Sequence, residues 1–164
     1  MQSQIRFMKL LAAISTCCLF FSSANAQRQI SVQSPDGKIS VNISTNRSLQ
    51  YTVRHEENIL LHPSTIDLFV QSGKLSDDLR IAKTTRASAN YKITSPVPEK
   101  RKEITDQYNQ VTIRFRGPFS IIFRAYNDGV AYRILTHFRD SITIKNETAT
   151  FVLNAKDKIY FPVS

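Results

Sequence analysis

The sequence predicts an all-β protein built as a twisted antiparallel sandwich, and three observations carry that reading. Beyond residue 29 the apolar residues recur with a period of two rather than 3.6, as strands with one face in a core and the other in water require. Turn signatures separate these runs: Ser34-Pro35-Asp36-Gly37, Gly117-Pro118 and Asn127-Asp128-Gly129. The one long apolar run without alternation, residues 10–21, stands near the N-terminus and reads as a targeting signal. With 164 residues, 41% hydrophobic and 21% charged, the chain fits about one globular domain and excludes a disordered, collagenous or coiled-coil protein.

Residues 1–26 have the three parts of a secretory signal peptide. Arg6 and Lys9 supply the positive start, residues 10–21 the apolar run, and Ser22-Ser23-Ala24-Asn25-Ala26 the small-residue cleavage pattern. Twelve apolar residues fall short of the about 20 that a membrane-spanning helix needs. Lipidation at Cys17 is the rival reading, and Thr16 with Leu19-Phe20-Phe21 fits it poorly. Cleavage after Ala26 would remove both cysteines and leave 138 of the 164 residues, with no thiol for a disulfide, a zinc site or a nucleophile. It would also lower the net charge from +9 to +7, since Arg6 and Lys9 leave and no acid does. These features place the mature chain in the periplasm or on the cell surface of a Gram-negative bacterium, with no stable membrane span once the signal is gone.

The strands follow in order. Ile30 to Val32 precedes the first turn, and Ile39, Val41 and Ile43 alternate with Ser40, Asn42 and Ser44 after it. Leu49, Tyr51 and Val53 form the next alternating set, then Ile66, Leu68 and Val70. The polar stretch 72–106 is the least patterned, and its segment 79–94 fits one long strand or two short ones. Val111, Ile113 and Phe115 oppose Thr112, Arg114 and Arg116, and the next two strands, 119–126 and 130–135, carry apolar residues on both faces. Such strands belong in the middle of a layered body. Gly117-Pro118 suits a type II′ turn and Gly129 a left-handed position, so residues 111–135 read as a three-stranded meander. Ile142 and Ile144, Phe151 and Leu153, and Ile159 and Phe161 extend the alternation toward the C-terminus.

Chemistry-bearing patterns are sparse. His55, His62 and His137 lack metal-ligand spacing and read as surface or strand-end residues. Only four glycines occur, with no Gly-x-Ser-x-Gly elbow and no phosphate-binding loop. Glu56, Glu57, Glu99, Glu103 and Glu147 sit in polar or turn-like settings with nothing nearby in sequence to raise a pKa, and Asp36 and Asp128 are turn residues. Lys100-Arg101-Lys102 reads as a solvated loop, and the series Arg114, Arg116, Arg124 and Arg133 as strand residues that line a solvent face or pair with acids. No nucleic-acid partner is expected. Asn42, Asn46 and Asn146 begin short glycosylation sequons, a common chance match.

One segment carries a resemblance. Phe123-Arg124-Ala125-Tyr126-Asn127-Asp128-Gly129-Val130-Ala131-Tyr132-Arg133 resembles the N-terminal domain of glycoside hydrolase family 97, which includes α-glucosidases and α-galactosidases of gut Bacteroides. Ser34-Pro35-Asp36-Gly37-Lys38, Leu49-Gln50-Tyr51-Thr52-Val53, and the stretch 100–108 leading into Val111-Thr112-Ile113-Arg114-Phe115 are similar to the same domain, so the likeness covers most of residues 29–162. It implies a β-super-sandwich related to galactose mutarotase-like domains, followed in the family by a (β/α)8 barrel that holds the catalytic carboxylates. It also implies a calcium ion in the full-length enzyme, whose Glu ligand from this domain has its expected counterpart beyond Ser164. No catalytic, cofactor-binding or metal-ligating residue is therefore assigned within the chain, and no cofactor is expected in it.

The expectation is a non-catalytic module, residues 27–164, that stops before the barrel and is incomplete at its C-terminal end. Its partners would be that barrel and an α-linked oligosaccharide. The alternative is a stand-alone secreted carbohydrate-binding module with Tyr51, Tyr91 or Tyr108 on a flat face. A third reading is an interaction domain that pairs through an open sheet edge.

Overall fold

The alternating runs fold into strands whose buried members face one another across a single core. The computed structural model describes residues 29–94, 96–97 and 102–160. The signal reading over 1–26, Lys100-Arg101, Glu99 and Phe161 lie outside them. Ten strands follow in chain order: β1 (Ile30–Gln33), β2 (Ile39–Ser44), β3 (Leu49–His55), β4 (Asn58–Val70), β5 (Gly73–Lys74), β6 (Ile81–Thr94), β7 (Glu103–Phe115), β8 (Phe119–Tyr126), β9 (Val130–Thr136) and β10 (Ile144–Ala149). A 3-10 turn over Leu75–Asp77 follows β5. The strands pair antiparallel in two sheets, β1-β2-β3-β4-β10 with β5 on β4, and β6-β7-β8-β9. Among the described residues no helix is long and apolar enough to cross a membrane.

The core lies between the sheets. From the first it takes Val41, Ile43, Leu49, Tyr51, Ile66 and Leu68, and from the second Val111, Ile113, Phe115, Ile121 and Phe123. Phe123 is fully buried, its ring 5.6 Å from Tyr51 and 5.9 Å from Tyr132. Burial pushes the Tyr51 phenol up to about 12, with nearby Tyr132 adding to the shift. The outer face of the first sheet carries Ser40, Asn42, Gln50, Thr52 and Thr65, the polar half of the alternation.

Four features differ from the sequence reading. First, of the two possibilities for 79–94 the structure takes one long strand, Ile81–Thr94, but its partner β7 starts at Glu103 rather than near Val111. Beyond the Tyr108–Tyr126 pair the two continue as a free ribbon, held by the Ile93–Ile104 pair and a Lys92–Glu103 ion pair of 2.8 Å. Second, neither Gly117 nor Gly129 has a positive φ; among the glycines only Gly37 and Gly73 do. The Gly117-Pro118 connection runs from the Arg114–Ser120 pair, so it is too long for a two-residue mirror turn. The Arg114 guanidinium instead fastens it by donating to the carbonyls of Phe115, Gly117 and Phe119.

Third, β8 is buried on both faces, with Ser120 and Ile122 covered on the outer side, whereas β9 is an edge strand with Ala131 and Arg133 exposed. Fourth, the C-terminal alternation does not enter the core. β10 covers Ile144–Ala149, Ile144 is 59% exposed, Phe151 is exposed, and Val152 forms an isolated bridge with His62 and donates to Ser64 Oγ (3.0 Å). Among the described residues β10 is the outermost strand of its sheet.

Phe123→Ala should lower the unfolding free energy by about 3–5 kcal/mol, because it opens a cavity where both sheets meet. Ile93→Ala on the free ribbon should change it by about 0.5 kcal/mol or less. Urea unfolding of the two variants measures both.

Candidate functional site

The two segments that carry the family likeness meet in space. Pro35 at the second position of the first turn fixes its φ, and Gly37, at φ 75°, takes a conformation that a side chain would disfavour. Ser34 is buried: its N–H donates to the Ile39 carbonyl (2.8 Å), its carbonyl accepts from Gly37 (2.9 Å), and its Oγ accepts from Ile39 N–H (2.9 Å) while donating to Asp36. Asp36 Oδ1 also accepts from Lys38 N–H (3.1 Å). Ser34 chiefly, and then the Lys38 amide, hold the Asp36 carboxyl below its ordinary value of 3.8. The Asp36 N–H in turn donates to Asn127 Oδ1 across 91 residues of sequence (3.0 Å). Asn127 thus serves two turns, since the Tyr126 N–H closes its own hairpin on the Gly129 carbonyl (2.8 Å).

A second cluster lies on the outer face of the β6-β7-β8-β9 sheet. The Arg124 guanidinium stands 4.1 Å over the Tyr108 ring and donates to Gln110 Oε1 (2.9 Å). Tyr126 lies 5.3 Å from Tyr108 and accepts from Arg124, which raises the pKa of that guanidinium. Tyr91 is 50% exposed, and hydrogen bonds with Tyr108 and then Asp106 push its phenol up to about 12. Of the three tyrosines proposed as a sugar platform, Tyr51 is in the core and Tyr108 is covered, which leaves Tyr91.

The other titratable residues serve local structure. His62 Nε2 lies 2.7 Å from Asn154 Oδ1, and His137 Nε2 lies 2.8 Å from Ser120 Oγ. Arg80 holds the Asp78 carboxyl down to about 2 through hydrogen bonds from its side chain and its backbone. Asp77 caps the Lys74 N–H. Asp67, on the polar parity of β4 and yet buried, accepts from Leu68 N–H, Ser76 N–H and Ser76 Oγ–H, and so fastens the 3-10 turn to the sheet. No local pattern marks it, since its partner lies nine residues on. Arg114 and Arg124 engage carbonyl, amide and phenol oxygens rather than the acids or open water expected of them.

Calcium requires six to eight oxygen ligands converging on one point. Among the described residues no three of His, Asp, Glu or Cys group together in that way, and the oxygens of Asp67 are already engaged by Leu68 and Ser76. The described residues do not fit a calcium site.

The two long sides of the sandwich differ. Along β1 the sandwich carries a cleft of about 480 Å3 across which Arg86 donates to the Ser31 carbonyl and Asn109 Nδ2 to the Gln33 carbonyl (2.9 Å). Along β9 and β10 it stands open on a cleft of about 600 Å3 lined by Leu68, Tyr132, Ile134, Ile142, Ile144 and Glu147, among others.

A family profile described as "Glycosyl-hydrolase 97 N-terminal" matches residues 32–164. A retaining α-galactosidase of Bacteroides thetaiotaomicron is 30% identical over 145 residues, which is 88% of this chain and 22% of the relative. A glycoside hydrolase family 97 enzyme of Pseudoalteromonas sp. strain K8, solved in complex with panose and with acarbose, superposes with a TM-score of 0.69 at 27% identity over 77% of this chain and 20% of that one. A β-arabinopyranosidase shares the fold, with a TM-score of 0.65 at 18% identity. The chain therefore spans about a fifth of the length of these relatives.

The Asp36 carboxyl is held lower in the folded state than in the unfolded one. Its contribution to stability is present above about pH 4 and is lost as the pH falls through the folded value. Asp36→Asn abolishes that titration. The stability difference between wild type and variant should therefore be larger at pH 6 than at pH 3, as urea midpoints at the two pH values measure.

Proposed function

Because the chain belongs to the glycosyl-hydrolase 97 N-terminal family, we propose that it is the non-catalytic β-sandwich module of an exported family 97 α-glycosidase, seated against that enzyme's catalytic barrel. The observation that carries this reading is the pairing of a family match over residues 32–164 with a span of only about a fifth of the relatives' length. A module of this kind contributes shape and support to a neighbouring active site. The chemistry of glycoside hydrolysis needs two carboxyl groups flanking the scissile bond. Here Asp36 is engaged with the Lys38 amide at its turn, while around the 3-10 turn Asp67 is engaged with Ser76, Asp77 with the Lys74 amide and Asp78 with Arg80. Export follows from the charged, apolar and small-residue succession of residues 1–26, and a periplasmic or cell-surface location with it.

The purified chain alone should hydrolyse neither α-glucosides nor α-galactosides. Chromogenic substrates of both classes test this, and turnover that survives repurification would end the reading.

A second reading, sugar binding by the isolated module, is favoured by the half-exposed Tyr91 ring beside Tyr108 and Asp106. Calorimetric titration with maltooligosaccharides should then give heat that Tyr91→Ala removes, and no heat at millimolar ligand would leave only the first reading.

A further inference from the structure

The cleft on the β1 side holds an excess of hydrogen-bond donors. The Ser34 N–H donates to the Ile39 carbonyl, and the Val32–Val41 pair continues that register into β1. The alternation of an antiparallel ladder therefore turns the backbone groups of Ser31 and Gln33 away from β2 and into the cleft of about 480 Å3. Their carbonyls accept from Arg86 and from Asn109 Nδ2 (2.9 Å). Asn109 Oδ1 accepts from Ser88 Oγ–H (2.7 Å), which holds the amide with its nitrogen toward β1. These bonds occupy the acceptors and leave donors over: the other N–H groups of the Arg86 fork, the second N–H of Asn109 Nδ2, and the outward N–H groups of Ser31 and Gln33. In chain order the Gln33 N–H lies between the two occupied carbonyls, and so between the guanidinium and the amide. Arg86 pairs across the ladder with the core residue Val111, which puts it on the inner face of its sheet, and no Asp or Glu is among the residues that line the cleft.

We propose that this cleft binds the carboxylate of an acidic sugar, a uronate. A carboxylate has acceptors only, and its two oxygens match a planar guanidinium flanked by N–H groups. The volume is that of a small-ligand site. A neutral sugar brings as many donors as acceptors and needs a ring to stack on, and the lining of Ser, Gln, Asn and Arg holds no aromatic residue. Protection of the β1 edge against a second strand explains one donor on each carbonyl, since an inward charge blunts an edge. It gives the further donors no role. That a sugar carries the carboxylate rests on reading the chain as a glycosidase module.

Calorimetric titration of the purified chain with oligogalacturonate at low salt tests the site, beside maltooligosaccharide and sodium acetate as neutral and sugar-free probes. Oligogalacturonate should give saturable heat. Arg86→Gln should weaken that binding by about tenfold or more, and Arg86→Lys, which keeps the charge without the fork, should weaken it less. Arg133→Gln removes an equal charge from the exposed face of β9 and should change the affinity by about twofold at most. Melting temperatures show that each variant folds. An equal loss in Arg133→Gln reduces the binding to net charge and overturns the proposal. Acetate that competes at equal carboxylate concentration makes the cleft a site for free anions and overturns it too. No binding of oligogalacturonate by the wild type overturns it and leaves the module reading standing, which turnover of the chromogenic substrates would end. Dimerisation of Arg86→Gln with sugar binding intact makes edge protection the role of Arg86 and likewise overturns the proposal.

Discussion

The contact of Phe123 and Tyr132 with Tyr51 of the facing sheet joins the two sheets into one body. A sheet with one apolar face gains stability only when that face is covered, and here each sheet covers the other. Phe123 sits on β8, a strand buried on both faces, so the ring is anchored from behind as well as in front. The ring contacts of the core therefore span both sheets, and Tyr51 and Tyr132 also meet each other at 5.9 Å. Leu49, Ile66, Val111 and Ile113, each fully buried, pack around this centre, and loss of it exposes both inner faces together.

Turn chemistry sets where the strands begin, and one amide links two of the turns. The Ser34 side chain bonds both ends of its loop, Asp36 caps the Lys38 amide, and Asn127 reaches over from the β8–β9 hairpin to accept from Asp36. The first β-hairpin and the meander are thereby tied at one end of the sandwich, far apart in sequence and adjacent in space. Arg114 does comparable work at the β7–β8 loop, where a guanidinium replaces the glycine conformation that the Gly117-Pro118 pair suggested.

Most of the strand order could be read from the sequence because burial on one face writes a period of two into the chain. Ile39 to Ile43, Leu49 to Val53 and Val111 to Phe115 are examples, and their inward residues are the core. The reading failed where other forces decide. The ribbon of β6 and β7 is nearly all exposed, so no burial period marks it, and cross-strand pairs such as Ile93–Ile104 hold it instead. The β3–β4 turn, Glu56-Glu57, has no Gly, Pro or Asn to announce it, although Glu56 takes φ 52°. At the C-terminus the period is present in Ile144, Phe151 and Ile159, which are exposed among the described residues, so alternation there overstated burial. In the candidate site, the turn residues Asp36 and Asn127 were legible as turn formers. Their mutual bond, like the capping of Ser76 by Asp67, depends on long-range pairing that local sequence does not encode.

The different linings of the two long sides of the sandwich follow from the same bookkeeping of backbone groups. On the β1 side, carbonyl oxygens of Ser31 and Gln33 that no strand satisfies are met by Arg86 and Asn109, side chains long enough to cross from the other sheet. On the β9 side the residues in the corresponding place are Tyr132, Ile134 and Ile144, which offer apolar surface and no carbonyl partner. A protein edge meant to face water carries charge, Pro or a bulge. This edge carries such a charge in the exposed Arg133, beside an inward row of Val130, Tyr132 and Ile134 that is only half-buried. The inward alternation of β9 is thus met only in part, for Tyr132 and Ile134 stay half-open beside the fully buried Phe123 and Ile121 of β8.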